Sequence, residues 1–394
     1  MLRFILVFVC YSSIVCFRRL FFLTSDQSSA EIGYAKAEYG NIVSAYSLCY
    51  TVSKLFLGTL NDVIHPAKLL AGSIAFMSVA LFGMSTATSV YELYFWVSLT
   101  ALVQGGAWLA TVKILKQNYE SDQFPMLYTM MNCTSNVSGM VGPFLMAGNW
   151  KNICISFGSF GTILAIIAYV ALTNRPVQLN EAKETRKLSA TDCKDVLLSP
   201  TIWKISIFML FSIQIRAIFE MWSPVFLSEL PESQDTFKQC SLLFEMGGAI
   251  GGIVSGFAVQ YLQTYFEVDS VRWNVASLCT CMAFIGSSSF FTSSTTHDGS
   301  SFLMGAAVYA CINVYGMISA DAAPYRICAT ANAVISFLSN MGPILAGTPL
   351  ALLIEKFGFV VVPTILQYQT AFFISLLFLT KQIPLAMRTH SKTE

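Results

Sequence analysis

The chain holds 394 residues, 55% of them hydrophobic and only 11% charged. Soluble globular domains carry roughly 25% charged residues, so this composition excludes one and indicates a polytopic membrane protein. The net charge of +1 gives no footing for a nucleic-acid partner, and it hides a strong asymmetry in where the charges fall.

A helix that crosses a bilayer needs about 20 apolar residues. Runs of that kind predict twelve spans, at 2–23, 40–61, 68–87, 92–115, 124–146, 152–173, 202–228, 238–262, 272–292, 300–320, 327–352 and 361–380. The expected fold class is therefore an all-α membrane protein of twelve transmembrane helices, with the lipid bilayer as a partner. The first run has no basic leader beyond Arg3, and Arg18-Arg19 stands where a cleavage site would need small residues, so it reads as a retained helix rather than a signal peptide. Arginine at the middle of a membrane helix costs roughly 2.5–3.5 kcal/mol on insertion scales, so Arg18 and Arg19 require a water-filled cavity, a partner or an anionic ligand. Lys54, in Thr51-Val52-Ser53-Lys54-Leu55-Phe56 at the middle of the second span, is a further cation of this kind. Two glycosylation-type triplets, Asn132-Cys133-Thr134 and Asn136-Val137-Ser138, lie inside the fifth span and are expected to stay unmodified.

Asn174 to Pro200 is the only long polar stretch, with Arg175, Lys183, Arg186, Lys187 and Lys194 and no apolar periodicity. It divides the chain into an N-terminal six-helix half, 1–173, a linker, 174–200, a C-terminal six-helix half, 201–380, and a tail, 381–394. Placing the linker in the cytosol puts most Lys and Arg at cytosolic ends, with Lys36, Lys151, Lys238 and Lys356 on the far side; both termini are then cytosolic. The halves repeat one another. Gly142-Pro143 recurs as Gly342-Pro343, 200 positions on, while Arg18 recurs as Arg216 and Gly58 as Gly256, each 198 positions on. Parallel six-helix repeats of this kind are the layout of the major facilitator superfamily fold, whose substrate lies between the halves near the midplane.

The symmetric arginines suit an anion, because the guanidinium fork matches phosphate or carboxylate oxygens with parallel charged hydrogen bonds. The alternative is that each arginine pairs with a buried carboxylate, Glu220 or Glu245. Arg19 sits about 100° round the helix from Arg18, so the two point at different atoms, and Arg19 reaches the interface or meets an acid instead. Gly247, Gly248, Gly251, Gly252 and Gly256 follow no strand and precede no Lys-Ser or Lys-Thr, so they predict close helix packing rather than a phosphate loop. Most cysteines lie in apolar runs, and Cys279 and Cys281 point about 200° apart on a helix, a poor chelate. His65, His297 and His390 lie outside the predicted spans. No cofactor, metal site or catalytic set is expected, and the chain does not read as an enzyme.

At several of these residues the chain resembles the organophosphate:phosphate antiporter family of the major facilitator superfamily, and within it the glucose-6-phosphate exchangers of the endoplasmic reticulum. The matching residues are Tyr11-Ser12 before Arg18-Arg19, Ser53-Lys54 with Gly58 and Asp62, Gln104-Gly105 with Trp108 and Lys113, Asn136 before Gly142-Pro143, and Leu197-Leu198-Ser199-Pro200 leading to Trp203. Further on they are Arg216 with Trp222, Glu245-x-Gly247-Gly248, and Ala322-Ala323-Pro324 with Gly342 to Gly347. The resemblance implies antiport of a sugar phosphate, foremost glucose 6-phosphate, against inorganic phosphate, in the endoplasmic reticulum membrane. It makes Arg18 and Arg216 the phosphate ligands and Lys54 the second-helix cation; Arg19 is a fourth candidate for substrate binding, and Glu220, Glu245, Asn136, Trp222, Trp108 and Tyr11 are candidate cavity partners. One departure bears on the site: the family's acid directly before the seventh-helix Trp is Met221 here, with Glu220 one place earlier. A proton-coupled organic-anion symporter and a non-transporting sensor of phosphate esters are the rival expectations.

Overall fold

A computed structural model describes residues 2–119, 124–145, 148–173, 194, 196–229, 233–292, 297–323 and 328–385. Most of the linker, Pro324, Arg326 and the tail from residue 386 lie outside these, as do the surroundings of Gly58 and the side chains of Asp62 and Asn132. The N-terminal part comprises α1 (Leu2–Leu23), α2 (Ser25–Ile32), α3 (Lys36–Val63), α4 (Pro66–Ser85), α5 (Val90–Gln104), α6 (Ala107–Asn118), α7 (Phe124–Leu145) and α8 (Trp150–Thr173). The C-terminal part comprises α9 (Pro200–Ser228), α10 (Ser233–Leu262), α11 (Val268–Thr292), α12 (His297–Asp321), α13 (Cys328–Ser339), α14 (Met341–Leu345), α15 (Thr348–Phe357) and α16 (Val361–Leu379).

Local chemistry sets several of these ends. The His65 imidazole accepts the Ala67 N–H at 3.2 Å and Pro66 opens α4, where a missing N–H costs nothing. Ser89 caps α5 through the Glu92 N–H, while the Glu92 carboxylate reaches back to the Thr88 N–H at 2.7 Å, a variant of the capping box. Gly33, at φ +82°, closes α2 in the left-handed conformation that glycine adopts without strain.

Among the described residues, ten helical stretches are long and apolar enough to cross a membrane. The other two expected spans, 40–61 and 124–146, coincide with α3 and α7, which are helical but more polar. Two expected spans are broken. The fourth becomes α5 and α6 at Gly105-Gly106, and the eleventh becomes α13, α14 and α15 at Asn340 and at Ala346-Gly347. The short α2 was not signalled by hydropathy, because an eight-residue polar helix has no apolar run. His297, expected outside the spans, is the first residue of α12 and only 6% exposed.

The chain gathers into two compact units. The first comprises Met1–Lys183, Glu220–Leu242 and Ala346–Glu355, and the second Glu184–Phe219, Leu243–Leu345 and Lys356–Glu394. In the first, α1 packs on α4, α7 and α8, α4 packs on α8, and α3 packs on α5. In the second, α11 packs on α12 and α16 around a cluster of Phe208, Phe211, Phe284 and Phe373. Ile163, Ile166 and Val170 of α8 and Ile253, Val254 and Phe257 of α10 are exposed apolar side chains on membrane-length helices. In water such faces would be a liability, and in a bilayer they are the solvent-facing surface.

The glycine positions singled out in the sequence divide. A Cβ on Gly247 or Gly251 would fall 2.2 or 2.1 Å from the carbonyl oxygen of Phe302 or Ala306, and one on Gly305, which the sequence did not single out, 1.9 Å from that of Phe244, so α10 and α12 touch backbone to backbone. Gly256 faces open space and takes no part. Gly142 and Gly342 each approach the first helix of their own half, but unequally. Gly142 makes ordinary contact with Leu23, whereas a Cβ on Gly342 would lie 2.7 Å from the Leu210 carbonyl oxygen and 3.0 Å from the Gln214 nitrogen.

Candidate functional site

The first unit carries most of the intramembrane cations. Arg18 is half-buried on α1, and its charge lies within electrostatic range of the Tyr46 hydroxyl, as does that of Glu220. Arg19, its neighbour, is 9% exposed and donates from Nη2 to Glu220 Oε1 at 2.8 Å. Of the two roles open to Arg19, the structure shows the second, pairing with an acid. Moving the acid from position 221 to 220 turns it about 100° round α9. The pair removes one charge of each sign, so the excess of intramembrane cations over acids is unchanged.

Lys54 is half-buried on α3, its ammonium 4.5 Å from the centroid of the Tyr50 ring one turn earlier. Gly105 explains how α5 comes so near: a Cβ there would fall 1.9 Å from Ser53 Oγ and 2.8 Å from the Lys54 nitrogen. The Ser53 hydroxyl in turn donates to the Ala101 carbonyl at 3.3 Å. Directly before Gly105, Gln104 donates from Nε2 to the buried Tyr46 hydroxyl at 2.5 Å, and Phe22 meets the Tyr46 ring edge-on. The Tyr11 and Trp108 rings meet at a tilt of 51° with centroids 5.1 Å apart, and Asn136 is buried on α7. Arg18, Lys54, Tyr46, Tyr50 and Gln104 thus belong to α1, α3 and α5 of one packed unit.

After Glu220 the chain is stitched into this same unit. The Tyr39 hydroxyl donates to the Met221 carbonyl, Tyr39 and Trp222 pack at 5.1 Å, and the Trp222 indole N–H donates to the Ala346 carbonyl at 2.7 Å. Trp222 is fully buried. Lys36 and Glu229 form an ion pair, and the Thr348 hydroxyl donates to Asn41 at 2.8 Å.

The second unit carries Arg216. Its guanidinium carbon lies 4.7 Å from the centroid of the Tyr309 ring, and the Tyr309 hydroxyl donates to Glu245 Oε2 at 2.7 Å. Glu245 is 1% exposed. A buried carboxylate needs compensation, and a charge-assisted hydrogen bond from a phenol supplies part of it. Tyr46, Tyr50 and Tyr309 were not picked out from sequence as site residues. Tyrosine inside an apolar span carries no charge and so raises no insertion cost. The sequence sign for Tyr309 was Gly248, where a Cβ would fall 2.3 Å from the ring. Among the described residues, no group of three or more His, Cys, Asp or Glu converges as a metal site would require.

The Major Facilitator Superfamily profile matches residues 7–379. The membrane sensor protein UhpC of Escherichia coli (strain K12) is 25% identical over 382 residues, covering 89% of this chain and 85% of that protein. A probable hexose phosphate transport protein of Chlamydia trachomatis serovar D is 21% identical over 377 residues, covering 86% and 82%. The crystal structure of the nucleoside transporter NupG superposes with a TM-score of 0.75 at 12% identity, covering 97% of this chain and 99% of that one, a likeness of fold alone.

Proposed function

Because this chain belongs to the Major Facilitator Superfamily, a family of multi-pass membrane transporters, we propose that it moves an organophosphate across a membrane in exchange for inorganic phosphate, with Arg18 and Arg216 as the principal anion ligands. The observation that carries this reading is the division of labour between neighbouring arginines. Glu220 takes Arg19, while Arg18 stays half-buried within range of Tyr46. Lys54, beside Tyr50, adds a second cation to the same unit. A cation kept in a membrane helix at this cost points to an anionic ligand.

Arg216, the repeat mate of Arg18, serves the same substrate. A site with surplus positive charge resists closing when empty and closes once a phosphate neutralises it, which couples inward to outward transport without a nucleotide. Named relatives include a hexose phosphate transport protein, which favours a sugar phosphate, and glucose 6-phosphate is the first candidate by resemblance. By the same resemblance the membrane is that of the endoplasmic reticulum. The charge bias places the linker, 174–200, and both termini in the cytosol, on either side of halves 1–173 and 201–380. Since one named relative is a membrane sensor, a non-transporting receptor for phosphate esters is the second reading.

Purified protein in proteoliposomes preloaded with glucose 6-phosphate is expected to take up radiolabelled phosphate, and empty liposomes much less. Uptake driven by a pH gradient without internal phosphate ester would overturn exchange in favour of symport. Saturable binding without flux would favour the sensor.

A further inference from the structure

Arg216 packs against a residue that carries no charge. Tyr309 offers its ring face to the guanidinium at 4.7 Å and its hydroxyl to the Glu245 carboxylate at 2.7 Å. The ring itself is held from two further sides. Phe244 packs against it at 5.8 Å, and Gly248 leaves bare backbone where a Cβ would fall 2.3 Å from Tyr309 Cδ2 and 2.6 Å from Cε2. On either side of this seat α10 and α12 are in backbone contact at Gly247, Gly251 and Gly305, so the platform sits where the two helices have least freedom to separate.

We propose that Tyr309 is a positioning residue for phosphate recognition: it holds the Arg216 guanidinium plane by its ring face, and the buried Glu245 carboxylate locks the ring through the phenol. This rests on the transport reading above and extends it to Tyr309 and Glu245. A cation resting over a ring gives up no charged partner to it, and the ring limits the directions in which the fork can meet phosphate oxygens. The hydrogen bond to an anion raises electron density on the phenol, and so on the ring face that the cation meets. Glu245 thereby bears on the ring that meets Arg216, and Gln at 245 would keep the acceptor while losing the charge.

The test is a double-mutant cycle read as affinity for inorganic phosphate in purified, folded protein. Tyr309→Leu is expected to weaken phosphate binding roughly tenfold, and Tyr309→Phe and Glu245→Gln about threefold each. In an Arg216→Gln background the Tyr309→Leu effect should shrink to under about threefold, while in an Arg18→Lys background it should persist. A merely structural Tyr309 would give the same loss in both backgrounds, and that result overturns the proposal. Wild-type affinity in both Tyr309 variants also overturns it, and if Tyr309→Leu fails to insert, Tyr309→Phe keeps the ring shape and decides alone. Absence of saturable phosphate binding in the wild type would instead defeat the transport reading, and this inference with it.

Discussion

The sharpest consequence of the site geometry is that two adjacent arginines should behave in opposite ways. Arg19 and Glu220 lie 2.8 Å apart with side chains 10% and 20% exposed. Removing one member of a buried pair costs about 3–5 kcal/mol, because the partner stays charged and dry. The residual exposure of Glu220 reduces this to about 2–3 kcal/mol. At roughly 2 °C per kcal/mol for a chain of this size, Glu220→Gln or Arg19→Gln alone should lower the melting temperature in detergent by about 5 °C. The double variant carries no stranded charge and should recover most of that loss, a coupling that independent sites would not show. Phosphate affinity should tell the other half. Arg19→Gln with Glu220→Gln should stay within about threefold of wild type, whereas Arg18→Lys should lose at least about tenfold, since a lysine cannot reproduce a charged fork worth about 1.5–3 kcal/mol per bond. Additive melting losses would refute the pairing, and a phosphate-blind Arg19 and Glu220 double variant beside a normal Arg18→Lys would reverse the assignment.

Three further outcomes follow from other contacts. Lys54→Ala should weaken phosphate-ester binding more than Lys36→Ala, whose ion pair with Glu229 is half-exposed; equal affinities in a competition assay would remove Lys54 from the site. Gly105→Ala should reduce affinity even when combined with Ser53→Ala, because the new Cβ still meets the Lys54 backbone nitrogen at 2.8 Å; a wild-type binding curve for that double variant would show that α3 yields without moving Lys54. The Glu31 carboxylate accepts from the Lys151 ammonium at 2.5 Å and the Trp150 indole at 2.6 Å, and these bonds hold its pKa below the ordinary 4.5. A depressed carboxylate pKa stabilises the fold above the unfolded value and stops doing so as pH falls through the folded one, so the melting difference between wild type and Glu31→Gln should be present at neutral pH and fade below about 4.5. A difference that persists unchanged in acid would show that the ion pair is not its source.

What the sequence disclosed and what it withheld follow from what each residue costs in a membrane. Arg18, Arg19, Lys54 and Arg216 could be found by inspection because a charge inside an apolar run demands an explanation. The all-helical fold was legible for the same reason: long apolar runs leave the backbone only one way to satisfy its own hydrogen bonds without closing a barrel. The breaks at Asn340 and Ala346-Gly347 were less so, because hydropathy reports apolarity and not backbone continuity. Most of Asn174 to Pro200, read as the linker, lies outside the described residues, so its character rests on composition.

Partnerships were harder to read than positions. The sequence placed Glu220 about 100° from the position the resemblance predicted, and Arg19 about 100° from Arg18, but joining those two facts needs the register of α9 against α1, which no single helix encodes. Tyr309 was harder still. Its ring is apolar enough to pass as packing, its hydroxyl is invisible to a charge count, and Glu245 lies 64 residues away in the chain. By its two contacts Tyr309 joins an arginine to a buried glutamate, the ring meeting the cation and the hydroxyl meeting the acid. On the proposed reading the phosphate must be released as well as bound, and a contact through a ring face restrains an arginine less tightly than a charged hydrogen bond would.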